Sequence, residues 1–158
     1  MLEFEHIVQV NDLNNDRLVD ISREQLWQGL VLRARSPHKF NQGLRCQSEQ
    51  IVDNQFMRVI EAGDSLFREK VILTPQRSIH TRTVSNQEQL QAESITRIEE
   101  PQAGYLFVRF NYRRDLPAPS GQVDVAEHLK SAWVQLDRDA VAMIRMLAES
   151  RLFDEPIN

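Results

Sequence analysis

The chain has 158 residues, with 19 Lys and Arg against 23 Asp and Glu, a net charge of −4 at pH 7. That length suits one domain over residues 1–158, able to bury roughly 68–70% of its unfolded surface and to hold an internal cavity. The negative balance excludes a general binder of nucleic acid or anionic membranes, and the single cysteine, Cys46, excludes a disulfide framework or a cysteine zinc site.

The N-terminal stretch MLEFEHIVQV carries acids where a signal peptide carries bases. No apolar run approaches the ~20 residues that span a bilayer. A cytoplasmic protein without membrane insertion is expected. The first strand is expected over about residues 3–10, with Phe4, His6, Val8 and Val10 on one face. His6 on that row reads either as a histidine satisfied within the core, the commoner case, or as a pocket acid–base. A polar connector follows. Ser22 is then a natural N-cap, with Gln25 closing a capping box and Ile21 stapled to Leu26. The helix shows Leu26, Trp27, Leu30, Val31 and Ala34 on one face. Gly29 inside it costs ~1 kcal/mol relative to Ala and points to close packing. Pro37 ends this helix, and a short second one runs from Pro37 to Phe40 before Gly43.

From residue 44 to 113 the pattern is strands with short turns: about 44–52, 56–62, 66–74, 77–85, 90–99 and 105–113. The separators Asp53-Asn54, Gly63-Asp64, Pro75-Gln76, Asn86-Gln87 and Pro101–Gly104 carry turn chemistry. Linkers this short imply an antiparallel meander. The polar strand 44–52 suits an edge. A proline-rich loop, 115–121, leads into a long helix over about 123–150. Its stripe is Val125, Leu129, Ala132, Leu136, Ala140, Met143 and Leu147, widened by Trp133 and Ile144, with Asp137 off the stripe. This stripe is expected to cover the apolar face of the sheet.

Strand parity extends the reading. Leu106, Val108, Phe110 and Tyr112 form the more apolar row of the last strand and are placed inward. Pairing Glu99 with Tyr105 sets Ile98 opposite Leu106, Thr96 opposite Val108, Ser94 opposite Phe110 and Ala92 opposite Tyr112, an inward row of mostly small residues. A two-residue turn at Pro75-Gln76 pairs Leu73 with Ser78, Val71 with His80, Glu69 with Arg82 and Phe67 with Val84. A three-residue turn at 86–88 pairs Arg82 with Ala92. Glu69, Arg82 and Tyr112 then lie on one line across the concave face, with His80 on the same side. A one-residue slip at any turn inverts the assignment. The pair reads either as ligand-contacting or as a structural ion pair near the rim.

One strand, a short helical segment, a six-strand meander and a long C-terminal helix is the order of the helix-grip fold. The stretches Phe4-Glu5-His6-Ile7-Val8-Gln9-Val10-Asn11, Arg23-Glu24-Gln25-Leu26-Trp27-Gln28-Gly29-Leu30 and Ala132-Trp133-Val134-Gln135-Leu136-Asp137, the last running on to Ile144-Arg145-Met146-Leu147, carry a resemblance to the SRPBCC superfamily. This is the group of START-like and birch-pollen-allergen-like proteins. More closely, the chain resembles the AtaL-like branch, a family of unknown function. The resemblance implies an α+β fold in which a seven-stranded incurved antiparallel sheet grips the last helix. It also implies two short helices after strand 1 and an apolar cavity within. Members of the superfamily bind lipids, sterols, hormones or polyketides, and some catalyse cyclisation or condensation. The glycine-rich loop of the plant allergens is replaced here by Val52-Asp53-Asn54-Gln55, so a ligand role tied to that loop does not carry over.

The four histidines, His6, His38, His80 and His128, show no metal-ligand spacing. No GxSxG, GxGxxG or Walker motif occurs, so hydrolase, dinucleotide and NTPase chemistry find no support, and no cofactor is expected. The leading reading is a binding module for a hydrophobic small molecule. Its expected contacts are Phe67, Glu69, Val71, Arg82, Leu106, Val108, Phe110, Tyr112, Leu136, Ala140 and Met143, with His80 in reserve and loops 63–65 and 115–121 as gates. Tyr112 reads either as a pocket donor or as a core phenol with one hydrogen bond. The alternatives are a cyclase or condensation enzyme, with Glu69 and Tyr112 or His80 as acid and base, and a protein–protein module.

Overall fold

The computed structural model describes residues 1–84, 90–116 and 124–153. The turn expected at 86–88 and most of the gate expected at 115–121 lie outside these residues. Strands β1 (Leu2–Gln9), β2 (Leu44–Val52), β3 (Gln55–Ala62), β4 (Ser65–Thr74), β5 (Ser78–Thr83), β6 (Ala92–Gln102) and β7 (Tyr105–Arg114) form one sheet in the order β1-β7-β6-β5-β4-β3-β2. Every pairing is antiparallel. Consecutive strands pair because their linkers are short, and β1 closes on β7. Polar β2 takes the far edge, as its composition implies.

Helix α1 (Arg23–Arg35) begins with the expected capping box: Ser22 accepts from the Gln25 amide, and Gln25 accepts from the Ser22 amide. The connector before it is tied down by Asn11, whose buried side chain donates to the Ile21 carbonyl at 2.8 Å and accepts from the Ile21 amide at 3.0 Å. A 3-10 turn, Pro37–Lys39, follows α1. Helix α2 (Val125–Glu149), capped by Asp124, lies against α1 and β1. The core between helices and sheet includes Leu26, Leu30, Phe56, Val71, Val108, Phe110, Val141 and Ile144. No helix among the described residues is long and apolar enough to cross a membrane.

Three expectations are corrected here. The β4–β5 turn holds three residues, Pro75-Gln76-Arg77, with Gln76 in the left-handed region, so Thr74 pairs with Ser78 and Lys70, not Glu69, faces Arg82. The slip inverts β5: Ile79, Thr81 and Thr83 face inward, and His80 and Arg82 face outward. The β5–β6 pairing is displaced by one as well, Arg82 meeting Glu93, so the two displacements cancel and β6 keeps its expected face. Between β6 and β7 the turn is the two residues Ala103-Gly104, and with an irregularity between Glu99 and Gln102 the register moves by two along the strands, which leaves both faces as expected. Thus Ile98 meets Val108 and Ser94 meets Tyr112.

The third correction concerns α2. Its buried face is Trp133, Asp137, Ala140, Val141, Ile144 and Ala148, Trp133 being half-buried, whereas Leu136 is 38% exposed. The helix is rotated from the apolar stripe because an acid, Asp137, sits at the centre of the packed face. Gly29 bears out the close-packing expectation: a Cβ there would overlap the Ile144 side chain. Gly29→Ala is expected to destabilise the fold by about 1–3 kcal/mol, read as a lower urea midpoint at an unchanged slope.

Candidate ligand-binding cavity

The helix-to-sheet joint is built on one carboxylate. Asp137 is fully buried. Its Oδ2 accepts from the Tyr112 hydroxyl at 2.6 Å and lies 2.7 Å from His6 Nε2. Arg33 Nη1 stands 2.8 Å from Oδ1 as an ion-pair partner, although its N–H is not aimed at the oxygen, which has no directed hydrogen bond. One residue of α2 thereby joins β1, β7 and α1. A buried carboxylate is tolerable only when charge and hydrogen bonds replace its water, and here three side chains supply them. Rings stack around the cluster: Tyr112 on Trp133 at 4.4 Å between centroids, His6 on Phe110 at 5.1 Å, and the Arg33 guanidinium over Phe110 at 6.0 Å. His6 is thus a satisfied core histidine, as its place on β1 implies.

Beside this cluster, between the sheet and the start of α2, lie two adjoining hollows of about 220 Å³ and 320 Å³. Both are lined by Leu44, Arg58, Ile60, Thr81, Ser94, Tyr112 and Trp133. The space exists because β5 and β6 present small side chains inward, Thr81, Ala92, Ser94 and Thr96, where larger ones would meet Trp133. The small inward row of β6 was expected from its sequence. Three hydroxyls on the floor and aliphatic walls from Leu30, Ile60 and Ile79 make the lining amphipathic.

A charged pair edges this space. Arg58 on β3 faces Glu69 on β4 directly, Nε to Oε1 at 2.9 Å, and its Nη1 donates to the Ala34 carbonyl at 2.6 Å. Both side chains are mostly buried, 12% and 16% exposed. The base expected beside Glu69 is therefore Arg58 and not Arg82. The signal was present: Phe56 and Ile60 mark the inward row of β3, and the two-residue turn Gly63-Asp64 sets Arg58 opposite Glu69.

Among the expected contacts, Glu69 and Tyr112 line the cavity. Arg82 and His80 are on the opposite face of the sheet, where His80 Nε2 lies 2.6 Å from Glu93. Val71, Leu106, Val108 and Phe110 are fully buried in the core, and Phe67 is half-buried on the inward row of β4. Ala140 is buried, Met143 is half-buried, and neither lines the cavity; Leu136 is exposed. Cavity residues missed in the sequence are Arg33, Arg58, Thr81 and Trp133. Burial pushes the Cys46 thiol up, which keeps it protonated and unreactive. No group of three or more His, Cys, Asp or Glu able to hold a metal occurs among the described residues.

Burial pushes the Tyr112 phenol well above its ordinary range, and the Asp137 charge beside it adds to the effect. Tyr112 is thus a neutral hydroxyl that spends its proton on Asp137 and offers only acceptor lone pairs elsewhere.

The family model for acetylaranotin biosynthesis cluster protein L, AtaL, matches residues 8–151. The chain belongs to the AtaL family. Its fold is shared with the di-domain aromatase/cyclase StfQ of the steffimycin biosynthetic pathway, at a TM-score of 0.72 and 12% identity over 95% of this chain and 52% of StfQ. This AtaL-family chain therefore spans about half the length of StfQ. The ZhuI aromatase/cyclase from Streptomyces sp. R1128 superposes at 0.64 and 14% identity, over 96% of this chain and 95% of ZhuI. Ara h 8.0201 superposes at 0.61 and 11% identity, over 90% and 97%. At these identities the superpositions show the shared helix-grip fold alone. None of the curated proteins compared with the chain matches it.

Two outcomes follow for the AtaL-family joint. Asp137→Ala leaves the partly buried Arg33 without its counter-ion and removes the partner of Tyr112, so a loss of about 2–4 kcal/mol is expected in urea unfolding. Tyr112 ionises near pH ~10 when unfolded and higher when folded, so its contribution is complete below pH ~10 and is lost as the pH rises further. Tyr112→Phe should lower stability by about 1 kcal/mol at neutral pH and flatten its decline in alkali, measured by urea unfolding from about pH 8 to about pH 11.

Proposed function

We propose that the protein binds a small, largely hydrophobic molecule with a few polar groups, an aromatic or polyketide-like metabolite or a lipid, in the cavity between the sheet and α2. The observation that carries this reading is the hollow floored by Thr81, Ser94 and Thr96 and walled by Trp133 and aliphatic side chains. Such a lining, aliphatic and aromatic walls around convergent polar groups, suits a small molecule that carries both apolar surface and oxygens. Arg58 and Glu69 at one edge would orient a carbonyl or hydroxyl group, and the Trp133 ring offers a flat stacking surface. The match to a family described by a biosynthesis cluster and the shared fold with aromatase/cyclases support a metabolite as ligand. This reading has the chain acting as a single domain in the cytoplasm.

A second reading, catalysis of cyclisation or condensation, is favoured by one feature, the carboxylate of Glu69 at the cavity wall. Glu69 would take the proton and Arg58 would stabilise the developing oxyanion. Tyr112, committed to Asp137, and His80, on the outer face, are withdrawn as its partners.

Native mass spectrometry of the purified protein tests binding. A reproducible excess mass, identified after denaturation, is expected. In Ser94→Leu, which fills the floor, that mass should fall by tenfold or more in occupancy while the thermal midpoint stays within about 3 °C. An adduct equally abundant in Ser94→Leu would remove the cavity as its site. Once a ligand is known, Glu69→Gln separates the two readings: binding with turnover abolished identifies a catalyst, and binding with no turnover in either protein identifies a carrier.

A further inference from the structure

The outer face of the sheet carries a hollow of its own, of about 640 Å³. Its lining follows from the register. Met57, Lys70, Arg82, Glu93 and Arg113 are successive cross-strand neighbours on β3, β4, β5, β6 and β7. They therefore form a row running across the strands on the side away from the helices. Three of the five are cations. Lys70 stands directly opposite Arg82, an arrangement that destabilises a sheet unless something else answers the charge.

Within this row the opposing charge is the Glu93 carboxylate, cross-strand neighbour of Arg82, and it forms no ion pair with either cation. Neither Lys70 nor Arg82 has an ion-pair or side-chain hydrogen-bond partner among the described residues. Glu93, the acid of the lining, is taken by His80 Nε2 at 2.6 Å. Arg113 is held loosely by Glu3 at 3.2 Å, in a pair more than half exposed. Met1, Met57 and Val84 supply apolar surface within the same hollow. A hollow of this volume is large enough for a small organic molecule. Two adjacent cations match the charge of a phosphate monoester, whose three free oxygens reach both.

We propose that this outer hollow is a second binding site, for a phosphate monoester carrying a short apolar tail. The phosphate bridges Lys70 and Arg82, and the tail lies on Met57 and Val84. The outer hollow shares Ala92, Glu93 and Arg113 with the interior one, but Lys70 and Arg82 line the outer hollow alone of the two and face the opposite way from Thr81 and Glu69.

The test is an amide-shift titration of the whole protein at low salt with octyl phosphate, and in parallel with inorganic phosphate. Octyl phosphate should shift Met57, Lys70, Arg82 and Val84 and bind at least tenfold more tightly than inorganic phosphate. Lys70→Gln and Arg82→Gln should each weaken it about tenfold or more. In the absence of ligand, Lys70→Gln should raise the thermal midpoint by about 1–3 °C, because it removes the like-charge contact. Shifts confined to Thr81, Ser94 and Trp133 would place the probe in the interior cavity and overturn the proposal. So would affinity unchanged in both variants, equal affinity for the two phosphates, or a lower midpoint for unliganded Lys70→Gln.

Discussion

The architecture turns on the need to satisfy one buried carboxylate. Asp137 draws His6 from β1, Tyr112 from β7 and Arg33 from α1 to a single point on α2. Its desolvation is offset only when all three are in place, so the rotation of α2, the approach of α1 and the closure of β1 on β7 are coupled. With Asp137 turned inward, Trp133 one turn earlier must also face the sheet, where it stacks on Tyr112 and becomes a wall of the cavity. The apolar stripe containing Leu136 turns partly to solvent as a consequence. The polar knot and the cavity wall are therefore two results of one helix orientation.

The sheet decides the rest through parity. Each strand offers alternate residues to its two sides, so the cavity receives Arg58, Glu69, Thr81, Ser94 and Tyr112, and the outer face receives Lys70, Arg82, Glu93 and Arg113. One extra residue in the 75–77 turn moves Arg82 from one set to the other. The interior keeps one cation paired with one anion across β3 and β4, which suits a partly dry space. The outer face keeps Lys70 and Arg82 without an ion-pair partner among the described residues, where water and salt can screen them. The division follows from dielectric environment as much as from side-chain type.

Likeness to StfQ, ZhuI and Ara h 8.0201 extends along the fold of this chain at 11–14% identity, a level that carries architecture and does not by itself carry function. The chemistry of this AtaL-family protein's cavity is local: a hydroxyl floor, an Arg–Glu pair at the edge, and a tyrosine whose proton is already committed. On the proposed reading, such a site would accept flat or aliphatic surface and hold it by few polar contacts, so shape and the placing of oxygens would govern selection.

Period-two alternation, the Ser22–Gln25 capping box and the short turns after residue 44 were enough to read an antiparallel meander, the early helix and the closing helix, because each rests on residues within a few positions of one another. The small inward row of β6 was legible for the same reason. Three things depended on contacts far apart in the chain. The face of β5 depended on whether a turn held two residues or three, a choice that Pro75-Gln76-Arg77 does not announce. The inward turn of Asp137 depended on partners 25, 104 and 131 positions away, as its contacts with Tyr112, Arg33 and His6 show. A count of apolar residues assigns such an acid to solvent, because the charges that stabilise it are supplied only when the chain has folded. The pairing of Arg58 with Glu69 lay between these cases: local turn geometry implied it, and the packing of α1 over β3 completed it by bringing the Ala34 carbonyl to the guanidinium.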